Sequence, residues 1–281
     1  MRRSAGSAPG GSRQILADVL DRDAWREAAR GATAIHCCIH ARYDSKVWAR
    51  DLPVRERTVM DIAAQVGAPV IFPESVYAFG TAASDLVEGA SVNPLTPLGR
   101  VRADLLAARE RHRATTISLV SSDLIGPTAG SGSIATTMVL RPIAAGRCAW
   151  VFANPDASHS WTFLPDLSRA MIDVAGRPDD VAPTGSAVLH TPTAEPRSLR
   201  SMADEAGLIV HGKPGRVKAI PTAALAAASR LSPVLREVRA QQHLWQGASV
   251  LRPGRLMTHD GLTPTPWPQA LRDSLRAVTT T

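Results

Sequence analysis

Short apolar runs bounded by glycine or proline alternate with longer segments whose apolar residues recur every three or four positions. This alternation, from Thr33 to Val120, most narrows what the chain can fold into. Thr33–Ile39 is too short for a helix between two breakers and reads as a buried strand. Pro53 suits the first turn of a helix, where its missing N–H would have had no partner. Val59, Ile62, Ala63 and Val66 then fall at i, i+3, i+4 and i+7 on one face, and Gly67 ends the helix. Val70–Phe72 is the next strand, Leu98–His112 the next helix with Val101, Leu105 and Ala108 inward, and Thr115–Val120 a further strand. Before them, Gln14–Val19 is a strand candidate and Asp21 can cap a helix that stops at Gly31. Strands joined through single helices predict an α/β, Rossmann-like, doubly wound parallel sheet covered on both faces.

The second half is less regular. Cys148–Phe152 reads as a strand, and Leu167, Ala170, Met171 and Val174 mark the inner face of a helix begun at Pro165. Beyond it, Val188–Leu189 and Gly215–Ile220 are short strand candidates, and Leu199–Ala206, Ala223–Leu231 and Pro233–Leu244 are helix candidates in a proline-richer lobe. With 281 residues, 44% of them apolar, the chain can bury one large core plus a smaller capping lobe.

The 32 basic residues exceed the 25 acidic ones, a net charge of +7. Aromatics make up only 4%, and no basic run interleaves with stacking residues, so nucleic acid is not an expected partner; a small molecule is. Cys37, Cys38 and Cys148 form an odd set with one adjacent pair, a pattern for reduced thiols and a cytoplasmic setting. The first eleven residues lack the apolar stretch of a secretory signal, and no window approaches a membrane span.

Several local patterns suggest chemistry that their context does not support. His36-Cys37-Cys38-Ile39-His40 offers four ligand types, but a strand puts His36, Cys38 and His40 on one face and Cys37 on the other, and no second cluster has zinc-site spacing, so no metal is expected. Gly130-Ser131-Gly132-Ser133-Ile134-Ala135 fits G-x-G-x-x-A, yet it does not directly join a strand to a helix in a first βαβ unit and reads as a flexible loop. Neither G-x-S-x-G nor a phosphate-binding glycine-lysine-serine/threonine run occurs.

Taken in order, several segments resemble the NAD-dependent epimerase/dehydratase group of the extended short-chain dehydrogenase/reductase superfamily. Ala17-Asp18-Val19-Leu20-Asp21 is similar to the segment after its third strand, and Gly31–Cys38 to its fourth strand, whose end lies along the cofactor. Ser121-Ser122-Asp123-Leu124-Ile125-Gly126-Pro127 resembles the loop after its sixth strand, Phe163–Ala170 its late helix start, and Gly261–Pro266 its ending. The resemblance implies a cofactor, NAD or NADP, near Asp18, Val19, Cys38, Ile39, Ser121 and Ser122. It also places Arg2 and Arg3 where the family's basic residues hold the 2′-phosphate of NADP. The domain plan that follows is a flexible loop over 1–12, an NAD(P)-binding Rossmann-like domain over 13–160 lacking the family's first strand–helix–strand, and a mixed segment over 161–281. That last segment carries the late Rossmann helix and a C-terminal substrate lobe, and a homodimer is the assembly open to such a chain.

The sequence departs from the family in two places. The strand, glycine-rich loop, helix and second strand that open the family are absent before Arg13. The family's Tyr-x-x-x-Lys, in which the ammonium lowers the phenol's pKa for proton exchange, is replaced by Leu98 and Arg102. Ser75 matches the family's catalytic serine, a donor to the substrate oxygen. Tyr77 is the nearby phenol that could supply the proton, facing the same way as Ser75 if the backbone stays strand-like. Two functions stay open: an atypical NAD(P)-dependent epimerase/dehydratase or carbonyl reductase acting on a small molecule such as a sugar nucleotide, or a catalytically weak nucleotide- or metabolite-binding sensor.

Overall fold

The structure is a computed structural model that describes residues 12–279. In chain order its elements are α1 (Arg22–Ala28), β1 (Ile35–His36), α2 (Ser45–Val66), β2 (Val70–Ser75), a 3-10 segment (Val76–Asp85), α3 (Pro97–Glu110), β3 (Thr116–Ser121) and β4 (Asp123–Ile125). A 3-10 turn (Gly130–Gly132) and a π-helix (Ala135–Leu140) lead into α4 (Arg141–Ala144), β5 (Ala149–Val151), β6 (Trp161–Phe163), α5 (Leu164–Ala175), α6 (Pro178–Val181) and β7 (Ser186–His190). The chain continues through α7 (Leu199–His211), β8 (Val217–Ala219), α8 (Thr222–Ala228), α9 (Pro233–Ala240), α10 (His243–Gln246), α11 (Arg255–Thr258) and α12 (Trp267–Thr279).

The expected α/β architecture with parallel strands is the one found. Four strands form one sheet in the order β1-β2-β3-β7, and the parallel pairs β4-β6 and β5-β8 stand apart from it. Two compact units emerge. The first comprises the described part of Met1–Pro73 with Asp104–Ser118 and Met171–Ala187; the second comprises Glu74–Ala103, Leu119–Ala170 and the described part of Val188–Thr281.

In the first unit the core gathers Val59, Ile62 and Ala63 of α2 with Ile35, Cys37, Val70 and Phe72, and Val19, Trp25 and Ile39 pack against it. The inward face of α2 read from sequence is therefore the buried one, and each large apolar side chain there contributes roughly 1.5–3 kcal/mol. The start of α2 needs correction. The helix begins at Ser45, capped by Asp44, whose carboxylate accepts from the N–H groups of Lys46 and Val47 at 3.0 and 3.1 Å. Pro53 thus lies inside the helix rather than at its first turn. An interior proline costs about 3 kcal/mol, since it removes the donor for the carbonyl four residues back; Asp44's cap and the buried face of a 22-residue helix outweigh that local penalty.

Two strand expectations also shrink. Gln14–Val19 forms no strand, only a single bridge at Leu16. Of Thr33–Ile39 only Ile35–His36 is strand. Cys37 N–H still reaches Ile71 O at 2.8 Å, but Cys38 N–H turns back to His36 O at 3.2 Å, and there the chain leaves the ladder. In the second unit, β4 was not anticipated. It brings a strand close to the Gly130–Gly132 turn, with Gly126–Ala129 between them, but the turn leads into a π-helix and not into the α-helix a dinucleotide fingerprint requires.

Candidate functional site

In the second unit β2 ends at Ser75 and β3 at Ser121. Neighbouring strands lie about 4.8 Å apart, so these serines share one rim at the carboxyl ends of the strands, where open α/β sheets bind ligands. Glu74 precedes Ser75 with its side chain fully buried. Its Oε1 accepts from Ser75 N–H at 2.7 Å and, at 3.4 Å, from Ser75 Oγ; the Arg102 guanidinium lies 3.5 Å away. A buried carboxylate needs such company, because losing water costs several kcal/mol that only pairing and hydrogen bonds restore. Arg102, itself 7% exposed, therefore serves here as the counterion of Glu74. Sequence reading missed Glu74, although an acidic residue beside the expected serine was its signal.

Leu98 is 0% exposed, so the position at which the resemblance would place a proton-exchanging phenol offers no surface to a ligand. Tyr77 falls in the 3-10 segment, and the alternation expected to align it with Ser75 stops where the strand does. The Tyr77 carbonyl instead approaches the first turn of α3 so closely that a Cβ at Gly99 would stand 2.5 Å from it. Gly99 N–H is capped by Thr96 Oγ1 at 3.0 Å, and Thr96 Oγ1 also accepts from Gln241 Nε2 at 2.9 Å. This corner fixes the backbone on both sides of Leu98.

Beyond Ser75 the rim is a chain of hydroxyls. Ser121 Oγ meets Thr191 Oγ1 at 2.8 Å, Ser122 N–H donates to Thr162 Oγ1 at 3.0 Å, and Thr162 Oγ1 meets Thr193 Oγ1 at 2.8 Å. Ser122 Oγ is buried without a hydrogen-bond partner. Next along the chain, Asp123 Oδ2 lies 2.7 Å from His159 Nε2. The imidazole is stacked on Trp245 at 4.5 Å and 13° and packs against Trp161 at 4.6 Å. Trp161 is anchored in turn by its Nε1–H to Arg197 O at 2.9 Å. Nothing in the sequence pairs Asp123 with His159, which lie 36 residues apart.

The candidates in the first unit have structural employment. Asp18 closes a turn, its carboxylate accepting from Leu20 N–H at 3.0 Å and its carbonyl from Asp21 N–H at 3.1 Å, while Val19 and Ile39 pack on the core. Cys38 is exposed and Cys37 buried. Burial and then the negative charge of Glu56 push the Cys37 thiol up to about 12. No group of three or more metal-ligating side chains occurs among the described residues. Arg2 and Arg3 lie outside the described residues.

A dinucleotide's pyrophosphate needs backbone donors at a glycine turn between strand and helix. Among the described residues the glycines with crowded Cβ positions, such as Gly80, Gly99, Gly207 and Gly215, are pressed against this chain's own backbone, while Gly130 and Gly132 face open space beside a π-helix. The described residues thus hold no glycine turn of the kind that cradles a dinucleotide's pyrophosphate at a helix N-terminus.

No family model matches the sequence, and no curated protein matches it. The fold, by contrast, is widely shared among solved structures. UDP-glucose 4-epimerase from Brucella ovis, solved with NAD, superposes with a TM-score of 0.72 at 15% identity over 94% of this chain and 84% of its own. UDP-glucuronic acid 4-epimerase from Bacillus cereus, also with NAD, gives 0.69 at 10% over 95% and 80%. WbmG from Bordetella bronchiseptica, with NAD and UDP, gives 0.68 at 18% over 95% and 79%. At such identities the likeness establishes the fold, and it is the epimerase/dehydrogenase fold that the resemblance implied.

Proposed function

We propose that this chain is an epimerase-like protein that takes a hydroxylated small molecule of the sugar-nucleotide class at the strand-end rim of its second unit. The observation that carries this reading is the rim itself: Ser75, Ser121 and Ser122 at the ends of strands in an epimerase fold, with Ser122 Oγ lacking an acceptor. Ser75 Oγ spends its proton on Glu74, so toward a ligand it presents lone pairs and accepts a hydrogen bond from a ligand hydroxyl. Turnover by the phenol route is weak, because Leu98 exchanges no proton and Arg102 neither loses its own nor leaves Glu74. Three free cysteines support a reducing, cytoplasmic setting for this role.

A second reading, NAD(P)-dependent epimerisation or carbonyl reduction, is favoured by the neighbours solved with NAD. Calorimetric titration of the chain with UDP-glucose, NADH and NADPH, alongside a carbonyl-reduction and epimerisation panel, separates the two. Saturable UDP-glucose binding without turnover supports the first. Saturable dinucleotide binding with turnover supports the second, and no binding of any of the three refutes both.

A further inference from the structure

The helical hairpin of α8 and α9, in the second unit, stands outside everything assigned so far. Its root is fixed. Leu225 is 1% exposed, Ser229 is buried, and Gln241, just past α9, is buried with its Nε2 on Thr96 Oγ1 at 2.9 Å. Its outer part is open. α9 is as two-faced as α12, with Val234, Leu235 and Val238 on one side, Arg239 at their flank and Arg236 behind them. Yet α12 buries five residues, Trp267, Ala270, Leu271, Ser274 and Leu275, whereas α9 buries none. In the loop before α9, Leu231 is 90% exposed. A side chain just ahead of an N-cap ordinarily packs on the fourth helical residue; here the cap is Ser232 and that residue is Arg236, so Leu231 finds no apolar seat there.

We infer that this hairpin docks the protein on an anionic phospholipid surface, with Leu231 and Val234 entering the headgroup boundary and the arginines meeting the lipids' negative groups. This goes beyond the ligand proposed for the rim and does not rest on it. Charge, size and shape select the occupant. Between Thr222 and Ala240, Arg230, Arg236 and Arg239 are all exposed, and the single acid, Glu237, is half-buried. A second copy of this chain is a poor cover, because a two-fold contact sets a patch against itself and would bring these arginines together. A protein partner is disfavoured by size: stable interfaces take about 20–30 residues a side and are anchored by aromatic rings. Here the two helices have 7 and 8 residues and no aromatic side chain. A short apolar face edged by arginine suits a bilayer surface instead, where long basic side chains reach the headgroups while the aliphatic ones sink below them. No helix among the described residues is long and apolar enough to cross a membrane, so the contact is with the surface alone.

Sedimentation of the full chain with vesicles of phosphatidylcholine alone, and of phosphatidylcholine with about 30 mol% phosphatidylserine, reads this contact. The expected result is pelleting with the phosphatidylserine vesicles only, weakening as salt rises from about 50 to about 500 mM. Arg230→Gln combined with Arg236→Gln should lower the partition coefficient about 25-fold, roughly five-fold per arginine, and Leu231→Gln should lower it at least about five-fold. All three positions are exposed, so thermal melts of these variants should match wild type. No pelleting with either vesicle, equal pelleting with both, or pelleting that these variants leave unchanged would overturn the proposal. So would a dimer in sedimentation velocity that Leu231→Gln dissociates, since a second copy would then cover the face. Binding to soluble polyglutamate as tight as to the vesicles and indifferent to Leu231→Gln would overturn it too, by showing that charge alone acts. Should Leu231→Gln not fold, Leu231→Trp must tighten vesicle binding, because indole favours the bilayer interface; unchanged or weaker binding in that variant refutes the assignment.

Discussion

Replacing Arg109 by methionine should be among the most damaging single changes in the first unit. Arg109 is 1% exposed; its Nε and Nη2 donate to the two oxygens of Glu56, each at 2.8 Å, Nη1 donates to Ser118 Oγ at 3.0 Å, and the guanidinium lies 4.0 Å from the Phe72 ring centre. Methionine fills much of the same volume but leaves the Glu56 carboxylate buried without a counterion. Breaking one side of such a pair costs about 3–5 kcal/mol, whereas exchanging both partners for apolar residues of similar size is often neutral or better. With a urea slope of roughly 3 kcal/mol/M, Arg109→Met should lower the unfolding midpoint by about 1–1.7 M. The double variant Glu56→Met/Arg109→Met should recover most of that.

The loss should also depend on pH with a definite sign. In Arg109→Met the lone buried Glu56 carboxyl has its folded-state pKa raised above the unfolded value, so the folded state holds the extra proton. The variant is then relatively most stable below the unfolded pKa, near 4.3, and loses stability as pH rises through the folded one. Urea titrations followed by circular dichroism at several pH values decide the matter. A single variant within about 1 kcal/mol of wild type, or a double variant as weak as the sum of both singles, would refute the reasoning.

Other perturbations follow from the same contacts. Gly99→Ala places a Cβ 2.5 Å from the Tyr77 carbonyl, and the backbone shift it forces should cost about 1–3 kcal/mol, visible as a lowered thermal midpoint. Leu98→Tyr combined with Arg102→Lys supplies the Tyr/Lys pair implied by the resemblance in name only; because Leu98 is fully buried and Arg102 neutralises Glu74, the double variant should lose stability and gain no turnover in an epimerisation assay. Burial lowers the pKa of His36, His190 and His243, so the unfolded chain binds more protons below about pH 6.5; stability present above that value should fall as pH drops toward the lowered values, and His190→Gln should flatten this slope in melts between pH 7.5 and 5.5. With Cys37 pushed up to about 12, iodoacetamide at pH 7.5 should alkylate exposed Cys38 well before Cys37, as read by peptide mass spectrometry.

What could be read from the sequence was what periodicity encodes. The inward face of α2, the runs that became β2 and β3, and α3 are set by local apolar spacing: Val59, Ile62, Ala63, Val101 and Leu105 are buried, whereas Val66 and Ala108 are only partly so. Pro53 was misplaced because a strong cap nine positions upstream and a long buried face outweigh one proline, a comparison that no single window contains. β1 was overestimated because composition marks Thr33–Ile39 as apolar without showing where the chain stops pairing with β2.

The rim was half legible, and the missing half has a common physical cause. Ser75, Ser121 and Ser122 stand at strand ends, which alternation locates. The contacts around them come from distant segments: Arg102 lies 28 residues beyond Glu74, Thr191 70 beyond Ser121, and His159 36 beyond Asp123. A buried carboxylate such as Glu74 is tolerable only once its cation has been brought to it, so its presence in an apolar strand signals a partner without naming one. The same reasoning weakens Arg102 as a stand-in for the lysine that the resemblance implies. Its charge is already matched by Glu74, and a phenol placed at position 98 would find an arginine whose field that carboxylate has largely cancelled. Charge conservation along the sequence therefore does not amount to conservation of electrostatics at the site, and any catalysis here must draw its proton from a residue other than 98.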